Sequence, residues 1–272
     1  SVLWQGLGSQ GKTRTAMNVI QIEGLTKQFD SLTVLDNISL QVEKGEVFGF
    51  LGPNGAGKTT TLRVLLGLLR PTSGRALVFG EDLAHDERLR RRVGVLLEND
   101  GLYSRLTAYD NLSYYARLYE VANAAKRSEE LLEFVGLHDR RDDRVGDFST
   151  GMRRKLGVAR ALIHEPEALL FDEPTAGLDP EMQKMIRDLI LRLSETEGST
   201  VFLNSHNLDE VQRLCSRVAI LHKGRIRAND SVENLRRQAD SPAVEIELAD
   251  PAEALTACQA LTDAGLVSSC RA

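Results

Sequence analysis

The feature that most limits how this chain folds is the octapeptide Gly52-Pro53-Asn54-Gly55-Ala56-Gly57-Lys58-Thr59. It fits G-x-x-x-x-G-K-[ST], a loop whose backbone N–H groups cradle phosphates while its Lys reaches the outer ones. Such a loop needs a strand before it and a helix behind it, because the anion sits where unpaired N–H groups and the helix dipole converge. Both are present: EVFGFL is a continuous apolar run of buried-strand type, and KTTTLRVLLGLL has helical composition and spacing. A second match, GLGSQGKT over 6–13, lacks that context, since only SVLWQ precedes it and VIQIEGL soon reads as a new strand. It reads as a chance match, and residues 1–16 as a non-native or disordered leader ahead of a start at Met17.

Downstream, apolar segments alternate with helical ones. RALVFG, DERLRRRV and VGVLLEN are followed by two helical stretches between Asp110 and Gly136 and a long helix from about Gly151. Then come ALLFDEP as a buried strand, a Pro-started helix from Pro180, STVFLNSH as a strand and NLDEVQRLC as a helix. The alternation implies an α/β fold with a mainly parallel sheet, its ligands at the carboxyl ends of the strands. The early pair IQIEGLTKQF and TVLDNISLQV has no helix between its members and reads as antiparallel.

Composition excludes some functions. No apolar run approaches the roughly 18 residues a membrane span needs; LRVLLGLL is short and carries Arg63. The formal net charge of -5 argues against nucleic acid as a primary partner. Cysteines at 215, 258 and 270 form no even-numbered framework and favour a reducing compartment.

Phe171-Asp172-Glu173 closes an apolar strand. Downstream of a phosphate loop, Asp172 stands where a nucleoside-triphosphatase holds Mg²⁺, and Glu173 stands one residue nearer the γ-phosphate, where a base polarises the attacking water. The same acidic pair also fits a plain turn with a helix cap.

FSTGMRRKLGVARAL followed by EPEALLFDEPTAGLDP resembles the signature segment and acidic strand of ATP-binding cassette (ABC) ATPases, and NSH some 30 residues on resembles their switch histidine. The resemblance runs from about Val19 to Asn229, and EGLTKQF and ENDGLYSRLTAYDNL are most similar to subunits of bacterial and archaeal exporters of the drug- and antibiotic-resistance kind. It implies a P-loop core with an antiparallel β subdomain and a helical subdomain over about 99–165, all within a cassette over 17–238. It also implies ATP and Mg²⁺ as cofactors, and a head-to-tail dimer with a second ATPase subunit, identical or not. The cassette would drive a membrane-spanning permease from the cytoplasmic face.

Residue by residue, the resemblance implies that Phe29 stacks on adenine, with a core Phe after a strand as the alternative reading. It implies that Gly52, Pro53, Asn54, Gly55, Ala56, Gly57, Lys58, Thr59 and Thr60 hold the phosphates, with the Thr59 hydroxyl and Asp172 on Mg²⁺. Glu173 would be the base and His206 a γ-phosphate contact. Ser149 and Gly151 would touch the γ-phosphate bound to the opposite subunit, and Asp179 would lie at the dimer seam. There are two departures. Glu98 replaces the Gln most common after the VGVLL strand, and could ligate Mg²⁺ or orient water while adding negative charge. Phe148, Thr150 and Met152 replace the commonest Leu, Gly and Gln of the signature.

RLRRRV reads as a solvated helix face, with a lipid or membrane-partner contact as the alternative. Residues 239–272 read as the start of a small regulatory domain of one strand and one helix. The runner-up to a transport subunit is a soluble ABC ATPase acting on DNA or ribosomes; a regulatory module without turnover is disfavoured by Glu173.

Overall fold

The computed structural model describes residues 18–239, 256 and 258–260. The first loop match and the leader therefore lie outside the described residues, as does nearly all of the expected C-terminal segment. The chain divides after Val232. The sheets and helices below belong to the first unit; α8 (Val232–Ala239) begins with its last residue and otherwise belongs to the second, in which residues 256 and 258–260 are also helical.

The strands β3 (Val47–Leu51), β6 (Ala168–Asp172) and β7 (Thr200–Ser205) are buried along their whole length. Their unbroken apolar runs suit strands covered on both faces. With β5 (Val93–Leu96), β8 (Arg217–His222) and β9 (Arg225–Ser231) they form a six-stranded sheet in the order β5-β6-β7-β3-β8-β9, parallel except for the β8/β9 hairpin. A second, antiparallel sheet has the order β2-β1-β4, with β1 (Asn18–Phe29), β2 (Leu32–Glu43) and β4 (Ser73–Val78). Helix α1 (Lys58–Leu65) belongs to the core that joins both sheets: Leu62 and Leu65 share it with Ile20 and Ile22 of β1 and with Phe48, Phe50 and Phe202 of the main sheet. Phe202 lies 5.8 Å from Phe48 and 5.5 Å from Phe50, centroid to centroid.

RALVFG corrects the sequence reading. Its alternation with helical segments suggested a parallel strand, yet β4 pairs antiparallel with β1. The connection behind it carries only the four-residue helix α2 (Glu87–Arg90) and leads to β5 in the other sheet, so β4 has no parallel neighbour. Three of the arginines around α2 are engaged within the chain: Arg90 donates to the Leu83 carbonyl, Arg91 pairs with Glu120 and Arg92 with Glu167.

Helices α3 (Ala108–Leu118), α4 (Ala124–Phe134) and α5 (Thr150–Leu162) lie between β5 and β6 in the chain. Ser149 caps α5, accepting from the Met152 N–H, and Asp179 caps α6 (Pro180–Glu197), with Pro180 in its first turn. Helix α7 (Leu208–Leu214) follows β7. No helix among the described residues is long and apolar enough to cross a membrane. Cys215 is a buried free thiol whose pKa is raised by burial, whereas Cys258 is in a disulfide, so the odd cysteine count does not leave every thiol free.

Candidate active site

The phosphate loop leaves β3 between its two parallel neighbours, and the Gly52 N–H donates to the Ser205 carbonyl at the end of β7. Glycine is required at two points. A Cβ on Gly52 would fall 2.5 Å from the Leu221 carbonyl oxygen, and Gly57 combines φ +112° with a Cβ position 2.6 Å from Leu35 Cδ2. Helix α1 starts at once. Its first backbone bond runs from the Thr61 N–H to the Gly57 carbonyl, which leaves the N–H groups of Lys58, Thr59 and Thr60 without intrahelical acceptors at the positive end of the helix dipole.

These groups face a cavity of about 510 Å³, which is also lined by Val34, Asn54, Gly55, Glu98, Arg154, Asp172, Glu173, Ala176 and His206. The carboxyl ends of β3, β5, β6 and β7 thus converge on one opening. Lys58 is buried, and its ammonium donates to the Gly52 carbonyl at 2.8 Å and the Pro53 carbonyl at 3.3 Å while pairing with Glu173 Oε1 at 3.3 Å. The other Glu173 oxygen lies 2.8 Å from His206 Nδ1. Since a carboxylate only accepts, this contact places a proton on Nδ1. Glu173 has φ +49°, a left-handed turn that is costly for a non-glycine residue and takes the chain off β6 at the cavity edge. Its N–H is fixed by the Asn204 carbonyl.

Asp172 stays in the floor. One carboxylate oxygen accepts from the Thr59 hydroxyl at 2.9 Å and the other from the Asn204 side chain at 3.0 Å. Behind it, buried Glu210 on α7 accepts from the Thr175 hydroxyl at 2.6 Å and the Ser205 hydroxyl at 2.5 Å. Burial pushes the Glu210 carboxyl above its ordinary range; the two hydroxyl bonds and Arg187 pull it back, and Glu173 adds to the rise.

The structure brings Asn54, Gly55, Gly57, Lys58, Thr59, Thr60, Glu98, Asp172, Glu173 and His206 to one cavity, with Gly52, Pro53 and Ala56 shaping its loop. It does not bring Ser149, Gly151 or Asp179 there. Ser149 and Asp179 are exposed helix caps, and Gly151 packs on Met182 of α6, which a Cβ there would approach to 3.1 Å. Phe29 is also outside the cavity wall, 43% exposed at the end of β1, with the Lys27 ammonium 4.8 Å from its ring centre.

Arg154, Asn204 and Glu210 are polar residues at the site that sequence reasoning passed over. The available signals were weak: Arg154 is a cation five residues after Ser149, and Glu210 is an acid one helical turn after His206. Each also reads as an ordinary solvent-facing helix residue.

The family model described as ABC transporter matches residues 35–176. The bacitracin transport ATP-binding protein BcrA of Bacillus licheniformis is 40% identical over 238 residues, covering 87% of this chain and 77% of that protein. The Nod factor export ATP-binding protein I of Cupriavidus metallidurans is 42% identical over 210 residues, covering 76% and 69%. Among solved structures, cbiO1 from Clostridium perfringens, part of an ABC transporter complex, superposes with a TM-score of 0.75 at 27% identity, covering 82% of this chain and 92% of that one. The dimeric cassette MJ0796 gives a TM-score of 0.72 at 25% identity, covering 78% and 98%. A strand-borne phosphate loop facing an Asp-Glu strand end, together with these matches, identifies the chain as an ATP-binding, ATP-hydrolysing subunit of the ABC transporter family.

Proposed function

We propose that this subunit hydrolyses ATP at the cavity between the phosphate loop and β6, in a head-to-tail dimer, and drives export of a substrate through a separate membrane-spanning permease. The observation that carries the reading is the placement of Glu173: its carboxylate sits between Lys58 and His206, beside the Thr59–Asp172 pair, at the mouth of the cavity.

In this reading the loop N–H groups and the start of α1 bind the β- and γ-phosphates, and Lys58 exchanges its carbonyl partners and Glu173 for phosphate oxygens. Glu173, released from the ammonium, accepts a proton from the attacking water, with the His206 Nδ1–H holding the carboxylate in place. The Thr59 hydroxyl and Asp172 carboxylate are hard oxygen donors 2.9 Å apart, which suits Mg²⁺. Among the described residues no group of three or more His, Cys, Asp or Glu could hold a metal, so phosphate oxygens and water would complete the shell. When bound, Mg²⁺ supplies charge that offsets the negative charge on the phosphates. Glu98, on the wall of the same cavity, is a further oxygen donor.

The exposure of Ser149 and Asp179, away from the chain's own cavity, supports a site completed by the partner's signature. The bacitracin-transport and Nod-factor-export roles of the relatives favour export, with the chain peripheral on the inner face of the membrane. Within this scheme residues 17–238 form the cassette, the insertion over about 99–165 is its helical subdomain, and residues 239–272 begin a regulatory segment. Glu173→Gln tests the reading. It keeps shape while removing the proton acceptor, so ATP binding is retained, hydrolysis falls by about 10² or more, and a closed dimer accumulates in ATP and Mg²⁺ by size-exclusion chromatography. Hydrolysis within about threefold of the parent rejects Glu173 as the base.

A further inference from the structure

Among the described residues, Arg154 is the one guanidinium on the cavity wall, beside the ammonium of Lys58. It projects from α5, and its two terminal nitrogens go to different strands. One donates to the Leu97 carbonyl at 3.1 Å, just past the end of β5; the other donates to the Glu173 carbonyl at 2.8 Å, just past the end of β6. β5 and β6 are parallel neighbours, so the guanidinium spans two adjacent strand ends, each of which carries a carboxylate into the cavity: Glu98 follows Leu97, and Glu173 bears its own. The adjacent Arg153 holds the same segment, pairing with Asp100 at 2.9 Å.

The charge balance is unusual. Glu98, Asp172 and Glu173 all line one cavity that must also receive a triphosphate, and Glu98 stands where a neutral amide would carry no charge. Burial of Arg154 lowers its pKa, and the surrounding Asp100, Asp172, Glu173 and Glu98 act in the opposite direction. A planar fork can reach two carbonyls at once and still face carboxylates; an ammonium offers a single point charge.

We propose that Arg154 is a positioning residue for hydrolysis: it ties the Glu98 segment to the Glu173 segment and offsets the carboxylate at position 98. Because it stands on α5, whose first turn carries the signature Ser149 and Gly151, it also links that helix directly to the backbone of the base in its own chain. The proposal rests on Glu173 being the base.

The test uses the full chain and compares parent, Arg154→Gln, Arg154→Lys, Glu98→Gln, the Arg154→Gln/Glu98→Gln double variant and Glu173→Gln. Steady-state kcat and KM are measured with ATP and Mg²⁺, and Mg²⁺-free ATP affinity by equilibrium dialysis. Arg154→Gln is expected to lower kcat at least tenfold with ATP affinity within twofold of the parent. Arg154→Lys keeps charge without the two-carbonyl reach and falls between the two. In the Glu98→Gln background the Arg154→Gln loss shrinks at least threefold, because there is less charge to offset. A kcat for Arg154→Gln within twofold of the parent, or a parallel loss of affinity and kcat, overturns the positioning role. An equal loss in both backgrounds overturns the charge compensation. If Arg154→Gln fails to fold, Arg154→Lys decides: reduced kcat with intact affinity supports the bridge, and parent-like kcat refutes it. Full activity in Glu173→Gln sinks the underlying reading of the base; an inactive Glu173→Gln beside a parent-like Arg154→Gln sinks only this inference.

Discussion

Glu210→Ala isolates what the buried carboxylate contributes. Glu210 is 2% exposed, and its two oxygens are the acceptors for the Thr175 and Ser205 hydroxyls. Removing it leaves two buried hydroxyls without that acceptor, at about 1–3 kcal/mol each. Relief of the carboxylate's own desolvation, which raises its pKa, works in the other direction. The net expectation is a loss of about 2–4 kcal/mol, with a fall in Tm of about 4–16 °C at the roughly 2–4 °C per kcal/mol typical of domains this size. Glu210→Gln retains shape and an acceptor oxygen while shedding the charge, so its cost is about 1 kcal/mol or less. Urea titrations of parent, Glu210→Ala and Glu210→Gln, read by far-UV circular dichroism, measure both differences. Glu210→Ala within about 0.5 kcal/mol of the parent, or Glu210→Gln as costly as Glu210→Ala, would refute the hydrogen-bond account. Because Thr175 lies two residues after Glu173 and Ser205 immediately precedes His206, Glu210→Ala should also lower ATPase kcat.

Lys58→Ala should nearly abolish ATP binding while Lys12→Ala leaves it unchanged in equilibrium dialysis; loss of a bound nucleotide in Lys12→Ala would give the first loop match a role. Glu98→Gln should raise the Mg²⁺ concentration needed for half-maximal hydrolysis and spare metal-free nucleotide binding, whereas an unaltered Mg²⁺ titration would remove Glu98 from the metal shell. His164 is stacked on Tyr119 and bonded to the Val93 carbonyl, and burial depresses its pKa from 6.5 to about 4. The unfolded chain therefore takes up this proton first as pH falls, so stability present above pH 6.5 is lost between about 6.5 and 4, by up to about 3 kcal/mol. His164→Gln should flatten that part of the stability profile measured by urea titration, and an unchanged slope would contradict it.

The strands that carry the site were legible because each is buried on both faces and reads as an apolar run that stops at a break in pattern: Val47–Leu51 before the phosphate loop, Ala168–Asp172 before Glu173, and Thr200–Ser205 before His206. The choice of sheet was not legible for Ser73–Val78. Its pattern is locally compatible with either sheet, and its pairing with β1 is decided by a partner some 50 residues upstream. Among site residues, the phosphate loop and the Asp172–Glu173 pair follow from local chemistry. Arg154 and Glu210 do not, because their importance lies in carbonyls and hydroxyls brought from other elements by the fold. Phe29 was singled out by resemblance and lies outside the cavity wall, whose apolar side chains include Val34, on the neighbouring strand, and Ala176.

The shared-site dimer is the central claim, and complementation between two inactive variants tests it most directly. Lys58→Ala damages the phosphate loop and Ser149→Ala the signature, so either homodimer has a lesion in both sites. In a mixed dimer of the proposed head-to-tail kind, both lesions fall in one site and the other is intact. Random exchange at equal concentrations makes about half the dimers mixed, so single-turnover ATP cleavage should recover to about a quarter of all sites. Recovery toward that level, with exchange confirmed by cross-linking, is the predicted result; no recovery despite confirmed exchange would contradict a site built from Lys58 of one subunit and Ser149 of the other.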